Sequence, residues 1–194
     1  MSDIKLTFDE ALHEYRANGI VVPSVTQIIS ACGLYDFAHV SAKPLRVAAE
    51  RGRFVHSMIE YYEQGVLDES SIDPELAGYF YSYLETKATG LLPDKPSAIE
   101  KHIYSDRYKY AGTLDQMFGD DWINDIKTGQ PSAEQGLQFS AYWLAEHEDM
   151  SVKPRRLTGT YLHSDGTCGE VIDYQYEPLM WLSFLADYNW RKKN

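Results

Sequence analysis

The sequence predicts an α/β fold in a single domain, residues 1–194, with a central mixed β-sheet flanked by helices. Three observations carry this expectation. Helical and strand-like segments follow one another as helices, three strands, a helix, two strands and a helix, the order of a sheet covered by helical layers. Hydrophobic residues make up 44% and charged residues 24% of 194 positions, enough for one real core and too little chain for two comfortable domains. No repeat, low-complexity run or long linker divides the chain.

Each element has a local reason. Residues 8–29, FDEALHEYRANGIVVPSVTQII, read as an extended pair around the turn signal Asn18-Gly19, then a helix entered through Pro23-Ser24 with Ser24 as N-cap. Residues 43–64 form a helix or helix pair, with Phe54, Val55, Met58, Ile59 and Tyr62 near helical spacing. Gly65 and the polar run 68–73 end it, Pro74 opens another helix to about Lys87, and 91–96 is a loop. Strands follow at 98–104, 108–118 and 122–127, joined by the turns Ser105-Asp106 and Gly119-Asp120-Asp121. An apolar helix covers 133–146. Strands at 156–163 and 170–176 flank Ser164-Asp165-Gly166, and an amphipathic helix runs from Pro178 to about Arg191.

Composition bounds the chemistry. The N-terminus lacks the basic start and apolar run of a signal peptide, and no apolar stretch nears the ~20 residues that span a bilayer. The expectation is no membrane contact and a cytoplasmic location, which for a phage-encoded chain is the host cytoplasm. Cys32 and Cys168 are too few to hold an iron–sulfur cluster or a structural zinc, and read as buried or inert thiols. A formal charge of −11 argues against a nucleic-acid partner at face value. Its distribution is less uniform: Lys43, Arg46, Arg51 and Arg53 form one basic group, Lys101, Arg107 and Lys109 a second, Lys153, Arg155 and Arg156 a third. These are either solvated surface or phosphate contacts, for which Arg51, Arg53, Lys101 and Lys109 are the candidates.

The chemical centre is Gly112-Thr113-Leu114-Asp115 followed by Asp125-Ile126-Lys127-Thr128. Side chains alternate along a strand, so Asp125 and Lys127 share a face while Ile126 points into the opposite layer. A tight turn lets the preceding strand lie alongside and bring Asp115 near Asp125. Two carboxylates are hard ligands suited to Mg²⁺ or Mn²⁺, and an ammonium beside them can orient water or stabilise charge on a phosphoryl transition state. The alternative is a surface strand whose Asp and Lys pair with each other. His56 lies mid-helix with Glu60 one turn on, as an oriented imidazole or a core histidine. Glu100 is either an outward strand residue or a carboxylate holding a water or Lys127. Gln138 and Tyr142, one turn apart on the apolar helix, reach toward a lysine or phosphate, or are surface polarity. The helix carrying Tyr79, Tyr81 and Tyr83 stacks bases, or serves core and subunit contacts.

The ordered set His56, Glu100, Gly112-Thr113-Leu114-Asp115, Asp125-Ile126-Lys127-Thr128 and Gln138-xxx-Tyr142 resembles the RecB-type branch of the PD-(D/E)XK nucleases. Val22-Pro23-Ser24-Val25-Thr26-Gln27-Ile28-Ile29 and Arg51-Gly52-Arg53-Phe54-Val55-His56 are similar to segments of the mitochondrial genome maintenance exonuclease and compact phage exonucleases. The resemblance covers about residues 8 to 145. It implies a PD-(D/E)XK core, with metal ligands His56, Asp115, Asp125 and the Ile126 carbonyl, and Mg²⁺ or Mn²⁺ as the ion. It makes Lys127 the catalytic lysine, Glu100 a supporting acid, and Gln138 with Tyr142 the motif on the following helix. The activity implied is hydrolysis of DNA from an end, in phage-type recombination, replication or degradation. No helicase segment is present, so unwinding falls to a helicase or single-strand-binding partner, or to a single-stranded substrate. Two other readings stay open: an endonuclease for flapped or branched DNA, and a non-catalytic nucleic-acid-binding protein on the same fold.

Overall fold

The computed structural model describes residues 4–34 and 42–193. A small antiparallel sheet comes first: β1 (Leu6–Asp9), β2 (Glu14–Ala17) and β3 (Ile20–Val22). Asn18 and Gly19 both take positive φ, 50° and 81°, the backbone that a two-residue hairpin turn requires. Helix α1 (Val25–Ala31) starts at Ser24, whose hydroxyl accepts from the Gln27 N–H while the Gln27 side chain caps Ser24 in return. The segment 43–64 lies in one continuous helix, α2 (Ala42–Glu63), which accommodates Pro44 in its first turn, where no N–H partner is lost.

Helix α3 (Ala77–Ala88) begins three residues after Pro74, because the Asp73 carbonyl first closes a turn with the Leu76 and Ala77 N–H groups. Tyr79 and Tyr83 of α3 are buried in the core, and Tyr81 is exposed. The main sheet has the order β4 (Ala98–Ser105), β5 (Tyr110–Phe118), β6 (Trp122–Lys127), β7 (Arg156–Tyr161), β8 (Glu170–Asp173). It is mixed: β6 and β7 run parallel and every other neighbouring pair is antiparallel. The expected strand from 108 starts later, at Tyr110, since Lys109 takes φ 58° in the turn. The last two strands are shorter than their hydrophobic pattern, and a longer connection with an Asp165-to-Thr167 turn joins them. Helices α4 (Ala133–His147) and α5 (Pro178–Lys193) complete the chain.

Both faces of the sheet are covered. On one, Ile103, Leu114, Met117, Ile123 and Leu157 meet α1, α4 and α5 through Val25, Ile28, Phe139, Trp143 and Trp181. On the other, Phe118, Trp122 and Ile126 meet α2 and α3 through Val55, Ile59, Phe80 and Tyr83. That second layer also holds a chain of buried polar groups. Tyr83 accepts from the Gln116 amide at 2.7 Å, Gln116 from Asn124 at 2.9 Å, and Asn124 from Thr158 and Thr160 at 2.7 and 2.8 Å. Each of these groups is satisfied, so the chain fixes the register of β5, β6 and β7 beside Asp115 and Asp125. Among the described residues, no helix is long and apolar enough to cross a membrane. Cys32 is half-buried and Cys168 is exposed, so neither is one of the fully buried thiols that formed one of the two expectations.

Candidate active site

The β5–β6 ladder stops at Gln116↔Asn124, although both strands continue. Past that rung the strands part. The Ile126 N–H, left without a ladder partner, donates to the Asp115 carboxylate at 2.7 Å. On the other side of β5, the ladder to β4 is interrupted between the rungs Ile99↔Gln116 and Lys101↔Leu114, with Glu100 and Asp115 opposite each other in the gap. Glu100 has φ 45°, and side-chain alternation slips by one there: Leu114 and Met117, three apart, both join the α4-side cluster. Two carboxylates thus share one irregular rung at the mouth of a strand opening.

Helices close on this opening from both faces. From α2, His56 Nε2 donates to the Ile126 carbonyl at 2.8 Å, and Nδ1 faces Asp115 at 3.4 Å and Glu100 at 3.7 Å. From the α4 side, the Gln138 amide oxygen accepts from Lys127 at 3.3 Å, and its NH₂ donates to the Tyr142 hydroxyl at 2.8 Å. Lys127 is ion-paired with Asp125, and its ammonium stands 5.7 Å over the Phe139 ring. Asp125 is 1% exposed and Asp115 7%.

This crowding sets the protonation of the site. Burial would push the His56 imidazole down, but Asp115 and Glu100 outweigh it and hold its pKa well above the usual histidine value. Burial raises Asp125, the neighbouring Asp115 raises it further, and Lys127 only partly offsets them, leaving it at about 7. Asp115 is buried as well, yet His56, Lys127 and the Ile126 N–H bring it below the ordinary carboxylate range. Glu100 is raised by burial, with His56 working against the shift. Within a few ångströms, His56 and Asp125 are therefore biased toward their protonated forms and Asp115 toward its ionised form.

The structure brings together His56, Glu100, Asp115, Asp125, Ile126, Lys127, Gln138 and Tyr142. The candidate basic residues scatter. Arg51 lies next to the opening, bonding the Thr128 side chain and carbonyl at 3.4 and 3.5 Å and facing the Tyr79 ring. Arg53 is exposed on α2. Lys101 is ion-paired with Glu146 of α4, and Lys109 with Asp106 in the β4–β5 turn, so neither points to the carboxylates. Sequence reasoning gave no role of its own to Thr113, which accepts or donates a 2.6 Å bond with the Tyr15 hydroxyl and a 2.8 Å bond with His102. Its place two residues before Asp115 on the same strand was the available signal.

Gly112 shows why this stretch of β5 is small. A Cβ there would lie 2.6 Å from the Tyr142 ring, and that ring is buried and fixed by Gln138. Gly112→Ala is expected to destabilise the fold by about 1–3 kcal/mol through overpacking. It is also expected to displace the Tyr142–Gln138–Lys127 chain. Urea denaturation compared with Tyr142→Phe, which keeps the ring, measures the steric part.

No protein-family model and no curated protein matches the chain. Among solved structures it is similar to a crystal structure of a "putative exonuclease" from Eubacterium rectale, with a TM-score of 0.55 and 11% sequence identity. The match covers 73% of this chain and 65% of that one, so the chain spans about two thirds of the length of that protein. What the two share is a fold. In this chain it is an α/β arrangement, with a five-stranded mixed sheet between helices.

Proposed function

We propose that the chain is a metal-dependent deoxyribonuclease of the PD-(D/E)XK type, in its RecB-like branch, acting from DNA ends. The observation that carries this reading is the convergence of His56, Glu100, Asp115, Asp125 and Lys127 where β5 and β6 part. The fold shared with the Eubacterium rectale protein supports it. So does the donor set. The ligating atoms of His56, Glu100 and Asp115 lie within 4.8 Å of one another, and imidazole with carboxylates suits Mn²⁺ and Mg²⁺. Asp125 and the Ile126 carbonyl, now engaged by Lys127 and His56, would be the further ligands available from β6.

When bound, the ion supplies a water of lowered pKa and polarises the phosphodiester. The protein's own groups do the rest. Lys127, aimed by Gln138 and Tyr142, donates to the attacking water or to the phosphoryl oxygen that gains charge. Before an ion binds, Glu100 and Asp115 hold the imidazole of His56 from its Nδ1 side. Arg51 at Thr128 is the basic residue best placed for a strand phosphate. In this reading a helicase or single-strand-binding partner opens duplex substrates.

Digestion of labelled linear and closed circular single strands in Mn²⁺, with and without EDTA, tests the reading. Linear strands are expected to be shortened from an end, circles to resist, and EDTA to abolish hydrolysis. Cleavage of circles would move the assignment to an endonuclease. Intact linear strands and duplexes in Mn²⁺ would overturn it.

A further inference from the structure

Beside the carboxylates lies a cluster of rings for which the hydrolytic centre has no use. Phe8 of β1 is at its middle, 5.3 Å from His13 in an edge-on contact, 4.5 Å from Tyr15 and 5.2 Å from His102. We propose that the exposed side of this cluster, formed by Phe8, His13 and His102, stacks a base of the substrate strand. The enzyme would then take its strand unpaired at that nucleotide. This inference rests on the nuclease reading and specifies its substrate.

Placement comes from the register. His102 pairs with Thr113 across β4 and β5, two positions from the rung of Glu100 and Asp115, about 7 Å along the strands. Tyr15 and His102 both reach Thr113 by hydrogen bonds, which anchors the rings to the strand that carries Asp115. On the far side stands α2: the Glu60 carboxylate lies within electrostatic reach of both His102 and Glu100. The rings thus border the same opening that His56 enters.

The cluster does more than glue the small sheet to the large one. That task falls to Tyr15, Ala17, Val22 and Ala111, all of them buried, with one side of Phe8 packed against them. His13 and His102 stay exposed and Phe8 is only half-buried, while Leu12 beside them is 69% exposed. The turn that presents them is ordered: Asp9 accepts from the Leu12 N–H at 3.0 Å, and Glu10 accepts from the His13 N–H at 3.3 Å. Rings held rigid and open to solvent are a stacking platform that accepts any base, at low entropic cost.

Charge points the same way. In a chain of net charge −11, with Lys101 and Lys109 engaged by Glu146 and Asp106, Arg51 is left as the candidate cation at the opening for a phosphate backbone. Stacking gives affinity without counterion release. A base stacked on protein rings has left its complement, so blunt duplex ends must fray before they are taken.

The test walks an abasic site through the nucleotides near the end of a labelled single strand. Wild type, His13→Ala, His102→Ala and His102→Phe are compared with Mn²⁺, and thermal melts establish that each variant is folded. In the wild type, one abasic position is expected to raise KM about tenfold with kcat held within about threefold, the size of one lost base–ring stack. The two alanine variants are expected to show that loss on the intact strand and no further loss at the abasic position. His102→Phe, which restores the ring without its bond to Thr113, is expected to recover the wild-type KM. If the wild type cleaves the strand and the alanine variants keep KM within about twofold, or keep the full abasic penalty, the platform is wrong and the nuclease reading stands. If the wild type cleaves nothing, both fall.

Discussion

Lys127→Ala is expected to reduce hydrolysis by about 10²–10³-fold, the usual consequence of removing one donor aimed at developing charge in a buried site. The expectation comes from its surroundings. Lys127 is tethered at three points, to Asp125, to the Gln138 amide oxygen and over the Phe139 ring, so its ammonium is held in place before substrate arrives. Replacement by Arg does not rescue, because a planar fork cannot occupy a position shaped for a compact ammonium. The same variant is expected to bind Mn²⁺ at least as tightly as the wild type, since a positive charge has left the ion's neighbourhood. It also stays folded. Asp125 loses its partner, but its carboxyl already sits at about 7 and is able to neutralise by taking up a proton. Single-turnover cleavage of an end-labelled strand, beside Mn²⁺ calorimetry, separates the two effects. Loss of metal affinity equal to the loss of rate would assign Lys127 to building the site, and activity within about threefold of wild type would remove it from the chemistry altogether.

The legible part of this site was the part written in short-range pattern. Asp125, Ile126 and Lys127 alternate faces as the strand period requires, and Gln138 and Tyr142 fall one helical turn apart. The succession of helices and strands along the chain followed from hydrophobic runs and turns, and the mixed sheet from that succession. What sequence could not display was long-range geometry. The β5–β6 ladder ends one rung short of Asp115, and nothing local to Asp115 announces it. Glu100 read as a partner for water or Lys127, yet its left-handed φ turns it to His56, which lies 44 positions earlier on α2. The contact between His56 and the Ile126 carbonyl spans 70 positions. The basic groups mislead for a related reason: a lysine's charge is visible in the sequence, but its counterion is not. Lys101 meets Glu146 only because α4 lies across β4.

Mn²⁺ affinity is expected to rise steeply with pH, by more than tenfold per unit below pH 6.5, with net release of protons on binding. The His56 pKa is held well above the usual histidine value by Asp115 and Glu100, and that of Asp125 at about 7 by burial and by Asp115. An ion among these groups needs a neutral imidazole and ionised carboxylates, so it competes with both protons. Folding linkage runs in the matching sense. Asp125 binds its proton more tightly folded than unfolded, where its pKa is about 3.9. Its contribution to stability is complete below that value and lost as pH rises through 7. His56, also raised, adds stability below about 6.5 that is lost as pH passes its folded pKa. Asp115 is lowered and acts oppositely, but only below about pH 4. The metal-free protein is therefore expected to lose stability, on the order of a few kcal/mol, between mildly acidic and mildly alkaline pH. Excess Mn²⁺ is expected to reverse that trend, adding about 2.7 kcal/mol at a hundredfold excess over Kd. Thermal melts from pH 5 to 8.5 in EDTA and in Mn²⁺ read the crossing directly, and calorimetry in two buffers of different ionisation enthalpy counts the protons. Asp125→Asn removes one of the two titrating groups and is expected to flatten the metal-free profile while weakening the ion. A pH-independent Kd with no proton release would mean that the ion binds without displacing either proton, and the shell assigned to His56 and Asp125 would have to be redrawn.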